Sequence, residues 1–182
     1  MSVMETIVNE ISSVLAHVDR TSLEDISGRL IRAPRVFVVG EGRSGLMGRA
    51  FAMRLMHLGA TSFVVGETIT PSIQENDVLV AISGSGKTEQ VVRVAEKAKA
   101  VGAVIVAVST NRASDLAKVA DALLLIPAAT KYRQAGEQES IQPLGSLFDQ
   151  CVHVTLDAIS LHYAAQLRED NNSAFLRHSN ME

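Results

Sequence analysis

Two short turns carry the residues most suited to chemistry. Gly40-Glu41-Gly42-Arg43-Ser44-Gly45 follows a β-branched run and opens a helical pattern, with the spacing G-x-G-x-x-G. A turn of this kind leaves backbone N–H groups and the positive end of a helix dipole where an anion can sit. The second turn, Ser83-Gly84-Ser85-Gly86-Lys87-Thr88, again lies between a strand pattern and a helix pattern. It is not a Walker loop, because the first glycine of that motif falls on Ala81. Gly84 and Gly86 still allow close backbone approach, Ser83, Ser85 and Thr88 offer hydroxyls, and a helix expected from Lys87 offers amides. Hydroxyls beside helix amides suit a phosphate monoester. The plainer reading is two tight strand-to-helix connections, but serine at both helix mouths favours an anion site. Arg43 has the fork to hold phosphate bidentately, or else lies on the surface. Lys87 is expected to face solvent from the helix start.

Proton-transfer candidates are fewer. Asp149 stands in the first turn of the last long helix, and Asp149, His153 and Asp157 recur at i, i+4 and i+8 as one polar stripe. An acid at a helix start complements the dipole and is expected to have a lowered pKa. Glu139, in a polar connector, is the substitute base. Glu67 follows the second strand, where it could hold a sugar hydroxyl or serve as a surface acid. His17, His57, His153 and His162 fall in helical patterns and are read as packing or solvent-facing. The single cysteine, Cys151, forms neither an internal disulfide nor a thiol metal cage and is read as core.

Those residues must be positioned by a scaffold, and the hydropathy pattern specifies one. Met4, Ile7, Val8, Ile11, Val14, Leu15 and Val18 mark an opening amphipathic helix, and a second helix over 22–31 stops before Pro34. Strand patterns over 35–40, 61–65, 77–82, 103–108 and 122–126 alternate with helical patterns over 44–58, 87–101 and 113–119. The strands are nearly continuous apolar runs, as expected when helices cover both faces of a parallel sheet. The expected fold is therefore α/β: one doubly wound, flavodoxin-like five-stranded parallel sheet in the order 2-1-3-4-5. Its switch point, between strands one and three, brings the two glycine turns together. The whole chain, 1–182, reads as one domain: N-terminal helices over 1–32, sheet core over 35–126, an active-site loop over 127–145, and C-terminal helices and tail over 146–182. A helix over 146–167 carries two apolar stripes, one through Leu147, Cys151, Val154, Ala158, Leu161 and Ala165, the other through Phe148, Val152 and Ile159. So wide an apolar surface implies an oligomer interface as well as core.

The 182 residues carry 17 Lys+Arg against 20 Asp+Glu, a net charge of −3, with 4% aromatics and no Trp. This excludes a basic grip on nucleic acid and base-stacking platforms. No apolar run approaches the roughly 18 residues of a membrane span, and acids stand at the N-terminus where a secretory signal has Lys or Arg. A cytoplasmic protein without metal is expected.

Several segments resemble the sugar isomerase (SIS) family of phosphosugar-binding domains and, within it, the 6-phospho-3-hexuloisomerases. They are GEGRSGLMGRAFAMRLMHLG, VGETITPS, ISGSGKTE, SIQPLGSLFDQ and the terminal RHSNME. The resemblance spans nearly the whole chain, and the first and fourth segments are its specific part. It implies a cofactor-independent homotetramer that interconverts D-arabino-hex-3-ulose 6-phosphate and D-fructose 6-phosphate, coupled functionally to 3-hexulose-6-phosphate synthase in the ribulose monophosphate pathway. It assigns substrate binding to Ser44 and the run Ser83–Thr88. The family's proton acceptor is the glutamate of Leu-Phe-Glu-Gln, which here reads Leu147-Phe148-Asp149-Gln150. The carboxylate is kept but its reach is shortened by about 1.5 Å. The resemblance also sends the tail into a neighbouring subunit's site, where His178 would act as acid or ring-opening group. Two other readings are a non-catalytic phosphosugar sensor and a nicotinamide dehydrogenase with Glu67 on the ribose. The second leaves no substrate domain once the sheet is spent.

Overall fold

The computed structural model describes residues 2–133 and 137–181; positions 134–136 of the polar connector and the two terminal residues lie outside the described residues. Chain order is α1 (Val3–Leu15), α2 (Arg20–Arg32), β1 (Val36–Gly40), α3 (Gly42–His57), β2 (Ser62–Val64), β3 (Val78–Ile82), α4 (Glu89–Ala100), β4 (Val104–Ser109), α5 (Asp115–Val119), β5 (Ala122–Leu125), α6 (Ser146–Leu167) and α7 (Asn171–Phe175). The sheet is parallel throughout and ordered β2-β1-β3-β4-β5.

Strand alternation explains the continuous apolar runs. Val36, Val38, Val78, Val80 and Ile82 share one core cluster with residues of α1, α2, α3 and α6. Phe37, Val39, Leu79 and Ala81 join a second cluster with α4 and α5. The central strands β1 and β3 are therefore buried from both sides, which requires apolar residues at successive positions. Pairing of Gly40 with Ile82 puts the C-terminal ends of β1 and β3 level, so both glycine turns leave the sheet side by side. In the first turn Gly42 adopts φ 57°, and a Cβ on Gly45 would lie 2.5 Å from the Gly40 carbonyl oxygen. Only glycine permits that contact, which seats α3 tightly against its strand.

Three local expectations need correction. The opening helix ends at Leu15 rather than running to Val18, because Asp19 caps α2 by accepting from the Thr21 amide. α4 begins at Glu89, not Lys87, so Lys87 belongs to the loop. The first apolar stripe of α6 divides: Leu147 and Cys151 are buried, whereas Val154 and Leu161 are exposed. The buried face runs instead through Leu147, Phe148, Cys151, Val152, Thr155, Leu156, Ile159, Ser160 and Tyr163.

Candidate active site

α6 lies on the same face of the sheet as α3, and Leu147 and Phe148 anchor its first turn in the core shared with Val38 and Ile82. Phe148 packs on Gly84, where an added Cβ would stand 3.2 Å from the ring. This packing gathers both glycine turns and α6 around one cleft of about 460 Å³. Arg43 and Ser44 come from the first turn, Ser85, Lys87 and Thr88 from the second, and Asp149 from α6.

Asp149 is the chemical centre. It is only 5% exposed, although His153 and Asp157 of the expected polar stripe are solvent-facing and paired with each other at 3.6 Å. Ser44 Oγ donates to Asp149 Oδ1 at 2.7 Å, and Arg43 Nε stands 3.4 Å from Oδ2. Burial raises the Asp149 pKa above the ordinary carboxylate range; the Ser44 hydrogen bond and the Arg43 charge oppose it without reversing it. The expectation of a lowered pKa at a helix start is thus overturned, because desolvation under α3 outweighs the dipole. A carboxylate so tuned is a better proton acceptor than a solvated one.

The second turn forms the anion side. Thr88 occupies the N-cap position of α4 without a side-chain capping bond, and the amides of Ser85, Thr88 and Glu89 make no hydrogen bond with any described residue. Free first-turn amides beside a hydroxyl suit a phosphate. Ser83 does not face the cleft. It is 3% exposed and its Oγ lies 2.8 Å from Thr88 Oγ1, so it orients that hydroxyl. Gly86 is also internal: at φ 62°, with Ser114 Oγ 2.1 Å from an added Cβ, it sets the loop's shape. Lys87 is exposed at the rim. There it also borders a smaller pocket of about 200 Å³ with Thr130, Tyr132 and Glu137.

Two expected acids stand elsewhere. Glu67 pairs with Arg49 at 3.3 Å in a separate groove beside β2, so the ribose-binding position of a dinucleotide site is not formed at the cleft. Glu139 is exposed and does not line the cleft. The connector carboxylate that turns inward is Glu137, which accepts from the Thr130 amide at 2.8 Å and from Thr130 Oγ1 at 2.7 Å. Glu137 and the cleft-lining Thr130, Lys131 and Tyr132 escaped the sequence reading, although all lie in the segment marked as an active-site loop. His178 stacks on His57 at 5.3 Å between ring centroids, at the far end of α3 from Ser44. Thirteen residues of helix separate the two by about 20 Å, so His178 is not at its own chain's cleft.

Residues 29–154 match the model of the SIS domain. A 3-hexulose-6-phosphate isomerase from Bacillus subtilis is 35% identical over 97% of this chain and 95% of its own length. Another, from Mycobacterium gastri, is 42% identical over 96% of this chain and 87% of its own. The crystal structure of a Methanococcus jannaschii protein, from which a 3-hexulose-6-phosphate isomerase function was inferred, aligns with TM-score 0.85 and 34% identity over 98% of both chains.

Proposed function

The chain belongs to the SIS domain family and within it groups with the 3-hexulose-6-phosphate isomerases, and on that premise we propose that it interconverts D-arabino-hex-3-ulose 6-phosphate and D-fructose 6-phosphate. The observation that carries this reading is Asp149: a buried carboxylate of raised pKa, held by Ser44 and set in one cleft with the phosphate-suited turn.

Moving the ketone from C3 to C2 takes the C2 proton, forms a 2,3-enediolate and returns a proton at C3. One carboxylate beside both carbons serves both transfers. Asp149 fills that role. Ser44, which donates to its Oδ1, orients it, and Arg43 opposes the charge that builds on the enediolate. Ser85, Thr88 and the amides at the start of α4 hold the phosphate, with Lys87 and Lys131 adding positive charge at the rim. The phosphate on O6 keeps the 3-ulose from closing a furanose ring, so it enters open-chain. In the reverse direction fructose 6-phosphate must be opened, and His178 of a neighbouring copy is the group assigned to that step. The exposed apolar residues Val154 and Leu161 on α6 support a homo-oligomer, read as a tetramer. The substrate would come from 3-hexulose-6-phosphate synthase, in the ribulose monophosphate pathway of formaldehyde fixation.

The test supplies the hexulose phosphate from formaldehyde and ribulose 5-phosphate with a synthase and reads fructose 6-phosphate. Production dependent on the purified chain is expected. No product above the synthase-only control would overturn the reading, and binding of fructose 6-phosphate without turnover would point to a sensor.

A further inference from the structure

The connector that leads into α6 is gripped from the opposite end of the chain. Glu10 of α1 accepts three hydrogen bonds from it: from Ser140 Oγ at 2.7 Å, from the Ile141 amide at 2.8 Å and from Gln142 Nε2 at 3.1 Å. Ser140 Oγ in turn accepts from the Gln142 amide at 3.0 Å. Arg133, on the other arm of the connector, donates to the Gln142 carbonyl. Two acceptor oxygens of one carboxylate thus organise three successive residues, a denser set of partners than packing of α1 would require.

The cleft wall comes next in the chain. Directly after Pro143, Leu144 and Gly145 line the cleft, and the Gly145 carbonyl accepts from the Asp149 amide at 3.0 Å. Leu144 holds φ 55°, a left-handed conformation that leucine rarely adopts. Such a conformation persists only where the surroundings impose it. Pro143 precedes it and the hydrogen bonds of Glu10 precede Pro143, so the imposed shape begins at α1.

We infer that Glu10 is a positioning residue: a carboxylate clamp on α1 that fixes residues 140–142 and thereby the Leu144–Gly145 wall beside Asp149. Glu10 itself does not line the cleft. Although burial works against its charged form, the Ile141 amide, Ser140, Gln142 and the charge of Arg133 hold its carboxyl below the ordinary range. The charged form, which accepts all three bonds of the clamp, is therefore favoured. The kinetic arm rests on the isomerase reading, and the exchange arm does not.

The experiment compares the full-length chain with Glu10→Ala and Glu10→Gln, measuring isomerisation kinetics and amide hydrogen exchange. In Glu10→Ala, exchange at Ile141 is expected to quicken tenfold or more while the β3 amides keep their rates. Its kcat is expected to fall about 10- to 100-fold, since an error near 1 Å at the base costs on that order, and KM to move less, because the phosphate turn is untouched. Glu10→Gln keeps one acceptor oxygen and falls between, which also serves if the alanine variant fails to fold. Unchanged exchange at Ile141 overturns the clamp. So does a loss of kcat accompanied by equal acceleration across β3, which is global loosening. Should the wild type turn over no hexulose phosphate, the isomerase reading fails, while exchange at Ile141 still decides the clamp.

Discussion

Asp149→Asn separates what the carboxylate does from what it costs. The amide keeps the size and leaves Ser44 with a partner, so the wall of α6 is preserved while the proton acceptor is lost. General base catalysis contributes about 10²–10⁴-fold, and kcat is expected to fall by that factor with KM nearly unchanged. Stability should move the other way. Burial raises the folded-state pKa of Asp149, and its side chain is almost fully enclosed. A carboxyl raised in the folded state contributes stability that is complete below the ordinary carboxylate range and is lost as pH rises through the folded value. The wild type at pH 8 therefore carries a buried charge that the asparagine variant lacks. Partial compensation by Ser44 and Arg43 keeps the difference on the order of 1 kcal/mol, or about 2–4 °C in Tm for a domain of this size. Thermal unfolding at pH 8 and near pH 4, alongside kinetics at pH 8, reads both effects. The Tm gain should shrink as the wild-type carboxyl protonates. Asp149→Glu adds a companion result: with Ser44 Oγ already 2.7 Å from the shorter side chain, about 1.5 Å of extra reach displaces the carboxylate and lowers kcat. An asparagine variant that retained kcat would refute the assignment of the base. One less stable than wild type at pH 8 would refute the account of its burial.

The phosphate turn yields a ranking: Thr88→Ala should raise KM about tenfold or more, as loss of a hydrogen bond to a charged group does, whereas buried Ser83→Ala acts only by freeing Thr88 and should raise it less. Equal effects in steady-state kinetics would show that Ser83 touches substrate directly. Gly86→Ala forces a Cβ into Ser114 at a left-handed backbone position, so urea unfolding should show a loss of about 3 kcal/mol or more. A wild-type midpoint would mean that α5 yields freely. Glu137→Gln, which weakens the double hold on Thr130, should raise KM several-fold, while Glu139→Gln should leave both kinetic constants in place. The reverse order would return the connector's functional acid to Glu139.

Much of this molecule was determined by local pattern. The strands read as apolar runs because each successive side chain enters one or the other helix-covered face, as Val38 and Phe37 do. The parallel order and the meeting of the two glycine turns came from the same pattern together with the strand–turn–helix rhythm. The bounds of α6, 146–167, came directly from the length of its apolar periodicity. Such features are legible because backbone geometry repeats every two or 3.6 residues and imprints itself on neighbouring positions.

The site's chemistry depended on partners distant in sequence. Asp149, His153 and Asp157 look alike on a helical projection, and only the docking of α6 against α3 buries the first and exposes the others. The same docking reversed the expected direction of the Asp149 pKa and supplied Ser44, 105 residues away, as its hydrogen-bond donor. In the connector no period exists to say which carboxylate turns inward, so Glu137 and Glu139 could be told apart only by where Thr130 stands. Glu10 offered no signal at all: on α1 it is one polar residue of an amphipathic helix, and its meaning comes from a loop 130 residues later. Periodicity records which side of an element is buried, but desolvation and hydrogen bonding depend on what that side meets, and the meeting is made by the fold.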